Sequence, residues 1–132
     1  MIIVLVEDEG ITRLWTRELL SSWDYEVIDF PDGLEAFQYL DGLSQAYVAI
    51  LDWQLPGMDG TAICQQLKAD HDKGQLGYFI MLSGQSARSH QQTAAASGID
   101  VFVAKPYQPN DLKTRVEQAV LELKQRRLPG LF

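Results

Sequence analysis

The sequence contains little cysteine, little basic charge and no long apolar run, and each shortage excludes a class of protein. Cys64 is the only cysteine, so an internal disulfide and a cysteine-based metal site are excluded, which fits a reducing compartment. The net charge of −7 argues against nucleic-acid binding, since binding phosphates needs clustered lysine and arginine. No apolar run approaches the roughly 20 residues that span a bilayer. The short apolar start also lacks the basic segment of a signal peptide, so the expected location is the cytoplasm.

The length and the overall composition are ordinary for one globular domain. The 132 residues suffice for one full hydrophobic core and are too few for two comfortable ones. We predict a single functional domain over residues 1–126, followed over 127–132 by a tail or the start of a linker, where Pro129 and Gly130 interrupt the last helix. No output domain follows, so the chain is expected to be either a stand-alone domain or a piece of a longer protein.

Apolar segments of strand length alternate with segments of helical spacing. The predicted strands cover residues 2–6, 25–30, 46–51, 77–82 and 99–103. The predicted helices are marked by Ile11–Leu19, Leu34–Leu40, Ile63–Leu67, residues 86–96 and Leu112–Leu123. This rhythm predicts an α/β fold, a doubly wound five-stranded parallel sheet of flavodoxin-like order with the first and third strands as neighbours. The same spacing predicts that Trp15 is buried or partly buried and that Cys64 is a buried apolar residue.

Reactive side chains follow the strand ends. Asp52 follows the third apolar run, Glu7 and Asp8 follow the first, and Ser83 and Lys105 follow the fourth and fifth. Ligands of open α/β sheets bind at this carboxyl edge. If the first and third strands are neighbours, three carboxylates converge there, and a divalent cation or protons must neutralise them.

Each of these residue types has a chemical part in moving a phosphoryl group. Asp52 is the candidate oxygen nucleophile, and Glu7 and Asp8 are candidate ligands for Mg²⁺. Lys105 offers a point charge and Ser83 a hydrogen bond to phosphoryl oxygens. Taken singly, the same residues are ordinary helix-start acids, turn residues or a solvated lysine. Their shared position at strand ends favours a phosphoacceptor site.

Four segments in this order resemble the receiver domain of two-component response regulators. They are Val6-Glu7-Asp8-Glu9, Leu51-Asp52-Trp53-Gln54-Leu55-Pro56-Gly57-Met58-Asp59-Gly60, Leu82-Ser83-Gly84 and Ala104-Lys105-Pro106. The resemblance extends from about Ile2 to about Gln125. It implies that Asp52 accepts a phosphoryl group from a phosphohistidine and that the domain is a conformational switch. The chemistry of such a switch is limited to its own phosphorylation and dephosphorylation, so it is not an enzyme acting on a separate substrate.

The resemblance also implies the metal ligands. Asp8 and Asp52 would bind Mg²⁺, or Mn²⁺, directly, and the backbone carbonyl of Gln54 would be a third ligand from the protein. Glu7 would act mostly through metal-bound water.

Further roles follow from the same resemblance. Ser83 and Lys105 match the residues that contact the phosphoryl group, and the Lys105–Pro106 bond is expected to be cis. Ser83 and Phe102 match the two switch positions. Because phenylalanine lacks the hydroxyl that a tyrosine would place there, inward rotation of Phe102 would depend on packing alone.

The implied partners are a sensor histidine kinase or phosphotransfer protein, and an output domain or downstream protein. The choice of kinase is expected to depend on Arg13, Arg17, Tyr107 and Gln108, in the first helix and the loop after the fifth strand. The output face would combine the predicted fourth helix, the fifth strand and the last helix. Formation of a homodimer stays open, and no nucleic acid or membrane partner is expected.

Two other functions stay open. A phosphohydrolase with an aspartyl nucleophile commonly needs a second acid in an Asp-x-Asp pattern, and Gln54 stands where that acid would be. A receiver-like interaction module that never binds phosphate is disfavoured because the set of acids, hydroxyl and amine is complete. Nucleotide and flavin binding are disfavoured because no glycine-rich phosphate loop follows the first strand.

Overall fold

The computed structural model describes residues 1–84 and 98–128. Its elements are β1 (Ile2–Val6), α1 (Gly10–Ser21), β2 (Glu26–Phe30), α2 (Gly33–Asp41), β3 (Tyr47–Asp52), α3 (Gly60–Ala69), α4 (His71–Leu76), β4 (Gly77–Ser83), β5 (Val101–Ala104) and α5 (Pro109–Gln125). The predicted helix over residues 86–96 and most of the predicted tail lie outside the described residues. None of the helices in the described ranges has the length and apolar character needed to cross a bilayer.

The strands form one parallel sheet in the order β2-β1-β3-β4-β5. This confirms the predicted α/β class and the flavodoxin-like order, in which the first and third strands are neighbours. Val6 pairs with Leu51, one residue before Asp52, and Ser83 pairs with Ala104, one residue before Lys105. The register therefore brings the carboxyl ends of these strands to the same edge of the sheet.

The two faces of the sheet each carry a separate hydrophobic core. Successive strand residues point to opposite faces, so neighbouring apolar residues contribute to different cores. On one face, α2 and α3 supply Ala36, Leu40, Ile63, Cys64 and Leu67. On the other, α1 and α5 supply Leu20, Leu112, Val116, Ala119 and Leu123. Cys64 is fully buried, as predicted.

The face of α1 that packs against the core is not the face predicted from its apolar residues. Ile11, Leu14 and Trp15 are 80%, 60% and 49% exposed, so the prediction that Trp15 is buried or partly buried was wrong. The residues of α1 that are buried are Thr16 and Leu20, which are four positions apart and share one helix face. Because Thr16 is polar, this inward face did not stand out in the apolar pattern.

The short helix α4 was not predicted. Asp70 begins it by accepting hydrogen bonds from the backbone amides of Asp72 and Lys73, at 3.0 and 3.2 Å. None of its six residues is buried. It therefore shows no apolar period that a sequence pattern could reveal.

Tyr47 places a hydroxyl in the core without a hydrogen-bond partner among the described residues. The residue is 1% exposed and its ring packs edge-on against Phe79, with 5.9 Å between the ring centroids. Burial is also the main reason that the pKa of Tyr47 is raised. An unsatisfied buried hydroxyl costs about 1–3 kcal/mol of stability.

We therefore expect Tyr47→Phe to leave the free energy of unfolding unchanged or to raise it by about 1 kcal/mol. Urea denaturation at equilibrium measures this change. Tyr39→Phe, at a partly buried position, is the matched control and should change stability little. A loss of stability in Tyr47→Phe alone would show that the hydroxyl has a partner.

Candidate functional site

The ends of four strands and their following loops deliver the predicted site residues to one edge of the sheet. The Lys105 ammonium nitrogen lies 3.0 Å from Glu7 Oε1 and 3.3 Å from Asp52 Oδ1. Ligand oxygens of Glu7, Asp8 and Asp52 all lie within 4.8 Å of one another. The structure thus brings together residues that come from widely separated parts of the chain.

The acidic cluster differs in exposure from one member to the next. Glu7 is 4% exposed, Asp52 is partly buried and Asp8 is exposed. Three carboxylates facing one ammonium leave an excess of negative charge, which a cation would neutralise. Carboxylate oxygens at this spacing are the ligands that Mg²⁺ prefers, together with water and phosphate oxygens.

Lys105 is held in its charged form by the acids around it. Burial by itself lowers the pKa of this lysine, but the hydrogen bond to Glu7 and the charges of Asp52 and Glu7 outweigh burial and raise the pKa above its ordinary value. A raised lysine pKa gives stability that is present below the unfolded-state pKa and lost as pH rises through the folded-state value. Lys105 is therefore a fixed positive charge throughout the neutral range.

The remaining predicted residues surround this centre. Ser83 is 3% exposed at the end of β4, and its backbone carbonyl accepts a hydrogen bond of 2.6 Å from the Lys105 amide. Gln54 is exposed in the loop after Asp52. Phe102 is partly buried on β5 and packs against the core that α2 and α3 cover. The Lys105–Pro106 bond is cis, as predicted.

Arg13 has a role that the sequence interpretation missed. Its guanidinium donates a 2.9 Å hydrogen bond to the backbone carbonyl of Glu7 and lies 3.2 Å from Asp29 Oδ2. Arg17 also pairs with Asp29. The spacing of four residues between the two arginines was the available signal, because it places both on the helix face next to β2. Arg13 thus fixes the segment that carries Glu7, and its side chain is only 23% exposed.

Tyr107 ties the loop after Lys105 to α1. Its hydroxyl lies 3.2 Å from the Thr16 hydroxyl, and its ring centroid lies 6.4 Å from that of Trp15. Thr16 is 1% exposed, so this contact satisfies a hydroxyl that water does not reach.

A double-mutant cycle tests this link. Tyr107→Phe is expected to cost about 1–2 kcal/mol of stability, because it leaves the buried Thr16 hydroxyl without its partner. Thr16→Val removes that hydroxyl. The double variant should therefore lose less stability than the sum of the losses in the two single variants. The readout is urea denaturation. Strict additivity would show that the two hydroxyls do not interact.

A groove of about 700 Å³ opens beside Lys105 between α1 and the loop after β5. Its lining is mainly apolar, and the residues are Ile11, Thr12, Trp15, Gly84, Lys105, Pro106 and Tyr107. Ile11 and Trp15, two of the exposed apolar residues of α1, therefore form one wall of a groove that reaches the site. An exposed apolar groove of this kind is a feature of ligand-binding and protein-interaction sites.

Comparison with known proteins identifies the family. The model of the response regulator receiver domain matches residues 3–117. The chain is 29% identical over 118 residues to chemotaxis protein CheY1 of Helicobacter pylori, covering 89% of this chain and 94% of that protein. It is 32% identical over 130 residues to response regulator RppA of Synechocystis, covering 98% of this chain and 52% of that protein. The chain thus spans nearly all of the first relative and about half of the second.

Solved structures show the same fold. A CheY-like receiver domain protein from Methanospirillum hungatei aligns with a TM-score of 0.82 at 23% identity, over 95% of this chain and 97% of that one. A second structure is the receiver domain of sensor histidine kinase PA1611 from Pseudomonas aeruginosa, solved with magnesium in its active-site cleft. It aligns with a TM-score of 0.79 at 22% identity, over 89% of this chain and 95% of that one. The chain belongs to the response regulator receiver family, and its function is that of a receiver domain in two-component signalling.

Proposed function

We propose that Asp52 is the phosphoacceptor of this receiver domain and that a phosphohistidine on a sensor histidine kinase or phosphotransfer protein is the donor. The observation that supports this most is the position of the Lys105 ammonium, 3.3 Å from Asp52 Oδ1, in a cluster with two further carboxylates. A structural ion pair needs one acid for one base. Two additional acids beside the pair are costly unless they bind a cation.

The transfer needs an Asp52 oxygen in line with the donor. Asp52 Oδ1 accepts a 2.9 Å hydrogen bond from the Trp53 amide, which fixes the orientation of the carboxylate. A carboxylate oxygen attacks the phosphorus, the bond from phosphorus to the imidazole nitrogen breaks, and that nitrogen leaves with the electron pair. In the later hydrolysis, water attacks phosphorus, inorganic phosphate leaves and the carboxylate is restored.

The donor set fits Mg²⁺ or Mn²⁺. Asp8 and Asp52 would bind the ion directly together with the backbone carbonyl of Gln54, and Glu7 would contact metal-bound water. The indirect role of Glu7 is supported by its burial and by the hydrogen bond that it already accepts from Lys105. When bound, the ion supplies positive charge for the phosphoryl oxygens.

Lys105 and Ser83 would hold the phosphoryl group after transfer. The phosphoryl group carries about 1.5 to 2 negative charges at neutral pH and replaces the single charge of the Asp52 carboxylate. Lys105 would shift from the carboxylates to a phosphoryl oxygen, and Ser83 would donate a hydrogen bond to another. This local change of charge is the input of the switch.

Phosphorylation would then remodel an output face. Movement of Ser83 toward the phosphoryl group would leave space that Phe102, packed against the core that α2 and α3 cover, could fill. The proposed face comprises β5 and α5, which lie in the described residues, and would include the predicted helix over residues 86–96, which lies outside them. On α5, Leu121 is 59% exposed. An output domain, a downstream protein or a second copy of the chain would bind there.

The phosphodonor would dock in the groove between α1 and the loop after β5. The exposed side chains of Ile11 and Trp15 offer apolar contact in the groove, which ends at Lys105 beside the acceptor. Arg17 is 48% exposed and remains available to select the partner, whereas Arg13 is mostly covered. The apolar residues of α1 thus extend the surface predicted from Arg13, Arg17, Tyr107 and Gln108.

We place the end of the receiver domain at residue 126. The Arg126 guanidinium donates 3.1 Å hydrogen bonds to the carbonyls of Gln75 and Gly77, which fixes the end of α5 against the start of β4. Residues 127–132 would form a tail or the start of a linker.

Binding of beryllofluoride, a mimic of the phosphoryl group, tests the function. Calorimetry should show binding to the parent only when Mg²⁺ is present, and no binding to Asp52→Asn. Asp59→Asn is the matched control, because the exposed Asp59 carboxylate makes no capping hydrogen bond in the same loop. Absence of binding to the parent would favour the phosphate-independent interaction module. Steady turnover of small phosphomonoesters would favour the phosphohydrolase.

A further inference from the structure

The turn before α2 contacts the loop that follows Asp52. The Gly33 amide donates a 2.9 Å hydrogen bond to the Pro56 carbonyl. The contact is closer still at the Gly33 α carbon, where an added Cβ would lie 1.8 Å from the Met58 carbonyl oxygen and 2.9 Å from its carbon. Both atoms belong to the backbone, so no side-chain rotation could make room. Gly33 therefore permits an approach between two loops that any other residue would prevent.

A second contact joins the same two segments. Gly57 has φ +81°, and an added Cβ there would lie 2.7 Å from Asp32 Oδ1. That carboxylate cannot easily move, because Oδ1 accepts hydrogen bonds from the amides of Leu34 and Glu35 at 2.7 and 3.1 Å. The two residues at the start of α2, Asp32 and Gly33, thus contact three consecutive loop residues, Pro56, Gly57 and Met58.

The loop is also fixed where it leaves β3 and where it enters α3. The Trp53 amide shares its hydrogen between Asp52 Oδ1 at 2.9 Å and the Leu82 carbonyl at 3.0 Å, and the Gly60 amide donates a 3.3 Å hydrogen bond to the Trp53 carbonyl. Leu55 is 8% exposed and anchors the middle of the loop in the core. Gln54 lies between the Trp53 contact with the sheet and the contacts that Pro56 and Met58 make with Gly33, so the position of its backbone depends on both.

We propose that Gly33 is a positioning residue for the metal site, and this inference rests on the proposed function. By holding residues 53–59 against α2, Gly33 sets where the Gln54 carbonyl lies relative to the carboxylates of Asp8 and Asp52. Neither Gly33 nor Asp32 belongs to the proposed set of metal ligands. Groups that orient a metal ligand from outside typically change metal affinity by about 10- to 100-fold when they are altered.

Calorimetric titration with Mg²⁺ and with Ca²⁺ tests this role. We expect Gly33→Ala and Gly57→Ala to weaken Mg²⁺ binding roughly 10- to 100-fold. Mg²⁺ demands near-octahedral geometry, whereas Ca²⁺ tolerates irregular sites, so Ca²⁺ affinity should fall less. The matched control is Gly42→Ala at the other end of α2, where an added Cβ would lie 3.7 Å from the nearest carbonyl oxygen. It should bind both ions as the parent does.

The titrations are run at a temperature where circular dichroism shows each variant to be folded. If Gly33→Ala does not fold, Gly57→Ala decides, because it disturbs the same contact between the loop and the start of α2 from the loop side, at Asp32 Oδ1. Unchanged Mg²⁺ affinity in the folded variants, or an equal loss for both ions, would overturn the positioning role. A parent that binds no Mg²⁺ would contradict the proposed function, which is a separate outcome.

Discussion

Replacing Asp52 by asparagine is expected to abolish phosphorylation of the chain. With acetyl phosphate and Mg²⁺, the parent should gain the mass of one phosphoryl group, whereas Asp52→Asn should gain none. The reason is chemical, because the amide lacks the charged oxygen nucleophile and loses the ion pair with Lys105. Intact-mass spectrometry reads both species directly.

Asp59→Asn controls for the loss of one charge from the same loop. It should be phosphorylated like the parent, since Asp59 is exposed and makes no capping hydrogen bond. Equal phosphorylation of Asp52→Asn and the parent would move the acceptor to another residue. Failure of all three proteins to gain mass would argue for a module that works without phosphate.

Replacing Asp8 by asparagine is expected to remove most of the affinity for Mg²⁺. Asp8 is the exposed member of the three carboxylates, and the change keeps an oxygen donor but deletes its charge. We expect the dissociation constant to rise at least about tenfold, which corresponds to about 1.4 kcal/mol. Isothermal titration calorimetry measures this change.

Glu9→Gln provides a control one residue away. Glu9 caps α1 through hydrogen bonds from the amides of Ile11 and Thr12, and the glutamine oxygen can still accept them. Its Mg²⁺ affinity should stay close to that of the parent. An equal loss in Glu9→Gln and Asp8→Asn would mean that the ion responds to general surface charge and not to a ligand set.

The edge of the sheet that carries the site could be predicted because it depends on strand ends. A parallel strand exposes its carboxyl end at a known edge, so Glu7, Asp52, Ser83 and Lys105 could be assigned to one edge from apolar runs alone. The order of the strands could not be read from periodicity, and the resemblance to the receiver family supported it. The observed strand order and register confirmed the predicted order and the shared edge.

The contacts around the site were less predictable, because they depend on side-chain geometry between distant segments. Trp15 was predicted to be buried or partly buried from its apolar neighbours, yet the inward face of α1 contains Thr16, whose partner Tyr107 is far away in sequence. Arg13 was interpreted as a partner-binding residue, although it holds the Glu7 carbonyl. Position 33 needs glycine because of the Met58 carbonyl, which belongs to a distant segment, so the residues next to Gly33 do not indicate this need.

Trapping the phosphoryl group chemically tests the central claim most directly. Borohydride reduces an aspartyl phosphate to homoserine, so treatment after incubation with acetyl phosphate marks the acceptor residue for peptide mass spectrometry. We predict homoserine in place of Asp52, and only in samples that contained Mg²⁺. Homoserine at another position, or its formation without the metal, would contradict the account.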